Sequence, residues 1–150
     1  MYKRQVDSYS DIEVVYPVHL NPKVRETVMK MLEKNPKIHL IDPIDVEDMH
    51  NLMARSYLVM TDSGGIQEEA PSCGIPVVVL RNETERREAI EAGTVLLAGT
   101  KREDIVREVK LLIEDGVKYQ EMARAVNPYG DGHASERIVE ALFLYFGGKE

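Results

Sequence analysis

The sequence predicts an α/β fold, doubly wound around a mostly parallel sheet of about five strands. Short β-branched runs alternate with amphipathic helical stretches in a βαβα order, and one run, residues 75–80, is apolar almost without interruption. A strand with no polar alternation is buried on both faces, as in a parallel sheet covered by helices.

The elements follow in order. Ile12, Val14 and Val15 mark a first strand over 12–16, closed by Pro17. Asn21-Pro22 then offers an N-cap followed by proline at the first helical position. The helix runs to about residue 34, with Val24, Val28, Met31 and Leu32 on one face. A strand over 38–41 leads to the Asp42-Pro43 turn, and Asp45 caps a helix to about Ala54 whose stripe is Met49, Leu52 and Met53. Residues 57–60 form the third strand, and a short helix follows, limited by Pro71 and Gly74. After the strand at 75–80 comes a charge run from Arg81 to Glu88, read as a loop entering a helix capped by Thr84. Ala92-Gly93 turns the chain into a strand over 94–97. Thr100 and Glu103 have the spacing of a capping box ahead of a helix burying Ile105, Val109, Leu112 and Ile113. Asp115-Gly116 breaks that helix, and another spans 117–125. Asn127-Pro128-Tyr129-Gly130-Asp131-Gly132 is a turn sequence before a last helix, 134–146, whose wide apolar face needs more than one neighbour.

Composition sets bounds. The chain has 150 residues, 43% hydrophobic and 30% charged, enough for one domain with a real core. With 26 acidic and 19 basic residues the net charge is -7, which argues against nucleic-acid or anionic-membrane partners. An anionic small ligand stays compatible, because local amides and a few arginines override a mild global field. The single cysteine, Cys73, excludes an intrachain disulfide framework and fits a reducing, cytoplasmic compartment. No run is long and apolar enough to span a bilayer. Residues 1–10 begin basic with no apolar segment behind them, so they are not a secretory signal. They are read as a leader outside the fold, disordered or foreign to it, with 11–146 as the domain and 147–150 as a tail.

The stretch Thr61-Asp62-Ser63-Gly64-Gly65-Ile66-Gln67-Glu68-Glu69 follows a strand and opens a helix. Ser63, Gly64 and Gly65 bring backbone N–H groups close to an anion where a helix begins, and Glu69 is placed to accept from sugar hydroxyls. The same residues also serve as ordinary helix capping, so the spacing alone leaves both readings open. The charge run after residue 80 leaves the same end of the sheet, where ligands of open α/β folds bind, and its arginines suit phosphate. The glycine fingerprint of dinucleotide sites and the P-loop lysine motif are both absent. His19, His39, His50 and His133 are scattered without metal-ligand spacing, so no metal site is expected.

The order of motifs is more specific than any one of them. Tyr16-Pro17-Val18-His19-Leu20-Asn21-Pro22 comes first, then Asp62-Ser63-Gly64-Gly65-Ile66-Gln67-Glu68-Glu69-Ala70-Pro71. Thr84-Glu85-Arg86-Arg87-Glu88-Ala89 with Ala92-Gly93-Thr94 follows, and Asn127-Pro128-Tyr129-Gly130-Asp131-Gly132 closes the series. Together they resemble the non-hydrolysing UDP-N-acetylglucosamine 2-epimerases over residues 12–146. The resemblance covers the carboxyl-terminal part of that family, whose members look like GT-B glycosyltransferases and bind substrate between two Rossmann-like halves.

The resemblance implies a Rossmann-like domain, the second half of a GT-B fold. It implies that Ser63, Gly64 and Gly65 hold the diphosphate of UDP and that Glu69 accepts from the ribose. Pro43 and Met49 would wall the uracil, and Arg81 and Arg86 would line the cleft. Arg87 stands where the family has proline, which loosens that loop. His19 is read as structural, bracing the Asn21-Pro22 helix start. The implied reaction interconverts UDP-N-acetylglucosamine (UDP-GlcNAc) and UDP-N-acetylmannosamine (UDP-ManNAc) by anti elimination of UDP and its re-addition, with no cofactor. The family's acid and base lie in the amino-terminal domain, so no catalytic residue is assigned in this chain. It is expected to bind UDP or the UDP-sugar without turnover, to need the amino-terminal domain as partner, and to form a homodimer. A UDP-sugar glycosyltransferase half-domain and a non-catalytic UDP-sugar sensor are the alternatives.

Overall fold

A computed structural model describes residues 6–147. Five strands, β1 (Val14–Pro17), β2 (Ile38–Ile41), β3 (Val59–Thr61), β4 (Val77–Val79) and β5 (Val95–Leu97), pair in parallel. The helices between and after them are α1 (Pro22–Leu32), α2 (Val46–Ala54), α3 (Gly64–Glu69), α4 (Arg87–Glu91), α5 (Arg102–Glu114), α6 (Gly116–Ala123) and α7 (Ala134–Gly147). The expected α/β alternation is therefore present, with most boundaries within two residues of their predicted places.

One hydrogen-bonded sheet of five strands was expected; the described residues form two, ordered β1-β2 and β3-β4-β5. Pro17 has no N–H to give a second neighbour and β3 is three residues long, so little ladder is available between β1 and β3. At the end of β1 the Tyr16 hydroxyl is pushed to higher pKa, first by burial and then by the charge of Asp62, which follows β3.

Residues 77–79 are buried completely on both faces. Val77 and Val79 pack with Met53, Ala70, Ala89 and Val95, while Val78 faces Ile105, Val109, Leu112 and Met122. The period of two along β4 thus sends alternate side chains into separate clusters, the packing that a doubly wound sheet requires.

The reading of residues 1–10 as a leader is overturned for residues 6–10. Val6 is fully buried against Leu32 and Ile38. Lys37 Nζ donates to the carbonyls of Val6 (3.3 Å), Tyr9 (2.7 Å) and Ser10 (3.1 Å). Tyr9 donates to Glu114 at 2.8 Å. One buried valine in a polar stretch has no periodicity, and the lysine that fixes it lies 27 to 31 residues downstream. Residues 1–5 and the tail at 148–150 lie outside the described residues.

Most local signals act as the sequence predicts. Asn21 accepts from the Lys23 N–H at 3.0 Å and Asp45 from the Asp48 N–H at 2.9 Å, both as N-caps. His19 Nδ1 accepts from the Asn21 N–H at 3.0 Å, bracing the start of α1. Asp115 ends α5 and caps α6, accepting from the N–H groups of Val117 and Lys118. Two caps fail. Lys101 precedes α5 without a side-chain cap bond, and Thr100 donates instead to Asn82 Oδ1 at 3.3 Å. The N-cap of α4 is Arg86, and the Thr84 oxygen accepts from the Arg86 N–H at 3.1 Å, ahead of the helix.

Candidate functional site

The carboxyl ends of β3, β4 and β5 gather the loops that carry the polar chemistry. β3 ends at Thr61, whose hydroxyl accepts from the Ser63 N–H at 3.0 Å. That bond sets Ser63 as the N-cap of α3, with extended backbone (φ -78°, ψ 132°) and no side-chain cap bond of its own. Gly64 and Gly65 are the first two helical residues, so their N–H groups belong to the first turn, which has no intrahelical acceptors. α3 has only six residues before a 3-10 turn, Ala70–Cys73, and the left-handed Gly74 (φ 70°). Local amides, more than a long macrodipole, therefore supply the positive potential.

Gly64 is small because Arg86 lies against it. A β-carbon at Gly64 would stand 3.2 Å from the Arg86 Cζ and 3.3 Å from Glu85 Oε1. Arg86 Nε donates to Glu68 at 2.7 Å and its Nη1 to Glu85 at 2.6 Å, while Arg81 donates to Glu85 at 3.2 Å. The hydrogen bond to Glu68, with both carboxylate charges, pushes the guanidinium to still higher pKa. Glu85 is pulled below its ordinary value, first by its own backbone N–H and then by Arg86 and Arg81. The expected residues Ser63, Gly64, Gly65, Arg81 and Arg86 thus form one cluster, with Glu85 linking the two arginines.

Glu69 ends α3 and folds back over its start, so that Oε1 would lie 3.4 Å from a β-carbon on Gly65. Its other oxygen, Oε2, is 3.0 Å from His50 Nε2 on α2. One carboxylate oxygen is thereby engaged and the carboxyl stays half exposed. Met49, next to His50, is half-buried against the cluster containing Met53 and Ala70. Pro43 stands on the other sheet, exposed in the loop after β2.

Several residues at this end were not foreseen. His50 was read only as a scattered histidine. Gln67 is completely buried and bonds to both the Ser63 carbonyl and the Thr84 hydroxyl. Its signal was a polar residue on the same face of α3 as buried Ala70. Asn127, in the turn before α7, donates to the Glu68 carbonyl at 3.0 Å and to Ser72 Oγ at 2.6 Å, stapling the end of α3. Burial, then Glu88 and Glu68, raise the pKa of Tyr129 in the same turn, while the Ala89 N–H and Arg86 pull it back. The Asn-Pro-Tyr-Gly-Asp-Gly turn is therefore a brace for the site as well as a linker.

Chemically, the arrangement offers helix-start amides and an arginine pair to an oxyanion, with a carboxylate set one helical turn away. That donor set matches a diphosphate joined to a polyhydroxyl group. The family model described as UDP-N-acetylglucosamine 2-epimerase matches residues 2–143. A UDP-N-acetylglucosamine 2-epimerase of Bacillus subtilis is 53% identical over 145 residues, 97% of this chain and 38% of that protein. Among solved structures, an S. aureus MnaA-UDP co-structure superposes with a TM-score of 0.91 at 51% identity, covering 97% of this chain and 40% of that one. A UDP-GlcNAc 2-epimerase from Neisseria meningitidis bound to UDP-GlcNAc gives a TM-score of 0.89 at 44% identity, covering 95% of this chain and 38% of that one. The chain thus spans about two fifths of the length of the relatives it matches.

Proposed function

The chain belongs to the UDP-N-acetylglucosamine 2-epimerase family, and from that membership we propose that it is the nucleotide-sugar-binding part of an enzyme interconverting UDP-GlcNAc and UDP-ManNAc. The observation that carries the reading is the cradle at the end of β3: Ser63, Gly64 and Gly65 open α3, with Arg86 packed against Gly64.

In this reading the Gly64 and Gly65 amides and the Ser63 hydroxyl receive the diphosphate. Arg86 and Arg81 exchange part of their pairing with Glu85 for the phosphate oxygens. Glu69, oriented by His50, accepts from the ribose hydroxyls, and Met49 with Pro43 flanks the base. Elimination of UDP from the sugar builds negative charge on the departing diphosphate, and donors already aimed at it lower that barrier. The proton transfers at C2 need an acid and a base that the geometry of this cluster does not supply, so the chain by itself binds without turning over.

Calorimetry of the 150-residue chain with UDP and with UDP-GlcNAc tests the reading, alongside an epimerisation assay on the same sample. Binding of both, lost in Ser63→Asp through like-charge repulsion, is the expected result. Absence of UDP binding by the folded chain rejects it. Turnover by the chain alone rejects the proposed division of labour.

A further inference from the structure

We propose that Gln67 is a positioning residue that ties the loop after β3 to the loop after β4 and thereby fixes Arg86 over the start of α3; this rests on the nucleotide reading given above. Gln67 has no solvent exposure. Its Nε2 donates to the Ser63 carbonyl at 3.1 Å, and its Oε1 accepts from the Thr84 hydroxyl at 2.7 Å. Thr84 Oγ1 accepts in turn from the Arg86 N–H at 3.1 Å. The direction of this chain of bonds is fixed by the inventory of donors. A carbonyl only accepts, so the amide NH₂ must face Ser63. A backbone N–H only donates, so the Thr84 oxygen accepts from Arg86 and its own proton goes to Gln67.

The consequence is mechanical. Arg86 leaves the backbone at the point where Thr84 holds its N–H, and its head reaches Glu68 and Gly64 on α3. The arginine therefore spans the same two loops as the Gln67–Thr84 bridge, from the outer side. A residue that only filled this space could be apolar, since Ser63 O also accepts from the Gln67 N–H at 3.4 Å. The amide adds a fixed separation between the glycine turn and the arginine loop. Breaking either of its bonds leaves a buried polar group to find another partner, which moves the loops.

The test compares the wild-type chain with Gln67→Met, Thr84→Val and Thr84→Ser, by ¹⁵N NMR and by UDP calorimetry. Gln67→Met keeps the approximate length and removes both bonds; Thr84→Val removes the hydroxyl from a partly exposed site and keeps the fold should Gln67→Met lose it. Thr84→Val is expected to shift the amide signals of Ser63, Gly64 and Gly65 across the bridge and to weaken UDP binding by about tenfold. Thr84→Ser restores both. Unmoved signals at Ser63, Gly64 and Gly65 with wild-type affinity in Thr84→Val overturn the inference. So does a shift in those signals that leaves UDP affinity intact, because the bridge then positions nothing the ligand uses. If UDP fails to move the Gly64 and Gly65 signals of the wild-type chain, the nucleotide reading falls, and the ligand role of Gln67 falls with it. That outcome is told apart by its appearance before any substitution is made.

Discussion

The guanidinium of Arg86 rests on Gly64, with Cζ at 3.2 Å from where a β-carbon would be. The contact explains a glycine whose backbone is ordinary helix and which lacks the positive φ seen at Gly74 or Gly93. Gly64 is there to admit a neighbour. A methyl at this position displaces the flexible end of Arg86, and alanine is the better helix former, so the fold tolerates the change.

Gly64→Ala should therefore keep its melting temperature within a few degrees of wild type while UDP affinity falls by about tenfold, the loss of one charge-assisted contact. Calorimetry and thermal melting on the same sample check the split. Equal affinity in the variant would mean that Arg86 contributes nothing to the anion.

Glu69 makes a more selective expectation. Its Oε2 is occupied by His50 at 3.0 Å, which leaves Oε1, beside Gly65, for a hydroxyl donor. Glu69→Ala should weaken UDP binding by about 10- to 100-fold, the range for a hydrogen bond to a charged acceptor. It should also equalise UDP and 2′-deoxy-UDP, which the wild type distinguishes. His50→Ala should give a smaller loss in the same direction. A wild type that binds both nucleotides equally contradicts the ribose assignment.

The alternation of strands and helices was legible because β4 reads as an unbroken apolar run and each long helix repeats at helical spacing. The glycine turn, Glu69 and the two arginines were legible because their residue types are chemically pointed and lie in the loops after β3 and β4 or in the short helix α3. Gln67 and His50 were not, because their roles depend on partners 17 and 19 residues away. Thr84 and Thr100 differ for a related reason: each hydroxyl donates to a distant acceptor, Gln67 or Asn82, and the helix behind it starts later than a threonine cap requires, after Arg86 and Lys101. Residues 6–10 show the same limit, their anchor being a lysine on the far side of α1.

That anchor gives a stability test. Lys37 Nζ donates to three carbonyls, those of Val6, Tyr9 and Ser10, and closes the end of the helical turn around residues 6–8. Lys37→Met removes the donors and keeps most of the stem. Because the site is partly exposed, water replaces some of what is lost, and the cost should be about 1–2 kcal/mol in urea denaturation. Amide exchange should speed up at residues 6–10 before it does so in β4.

Asp131 supplies a pH dependence. The hydrogen bonds from Arg137 and from the His133 N–H hold its carboxyl down from 3.8 to about 2. A depressed carboxyl favours the fold above its unfolded value, and that contribution fades as pH falls from 3.8 through about 2. The first turn of α7 should loosen across this window, seen as a shift of the His133 amide signal. Asp131→Asn should abolish the titration. A wild-type signal that titrates as for an unpaired aspartate contradicts the pairing.

The last helix raises the question of what covers it. Ile138, Val139, Leu142, Phe143, Leu144 and Phe146 are between 50% and 75% exposed, and α7 has no buried residue. From Leu142 to Phe146 the helix is apolar or aromatic all round, so the apolar area in water is larger than a monomer ordinarily shows. The 150-residue chain should accordingly bind an apolar dye and sediment as a mixture of monomer and larger species at micromolar concentration. Leu142→Lys with Phe146→Lys should return it to a monomer and remove the dye signal, with UDP affinity unchanged because neither residue belongs to the glycine turn. Sedimentation velocity decides it: a wild-type chain that runs as a single monomer and leaves the dye dark has its α7 face covered from within.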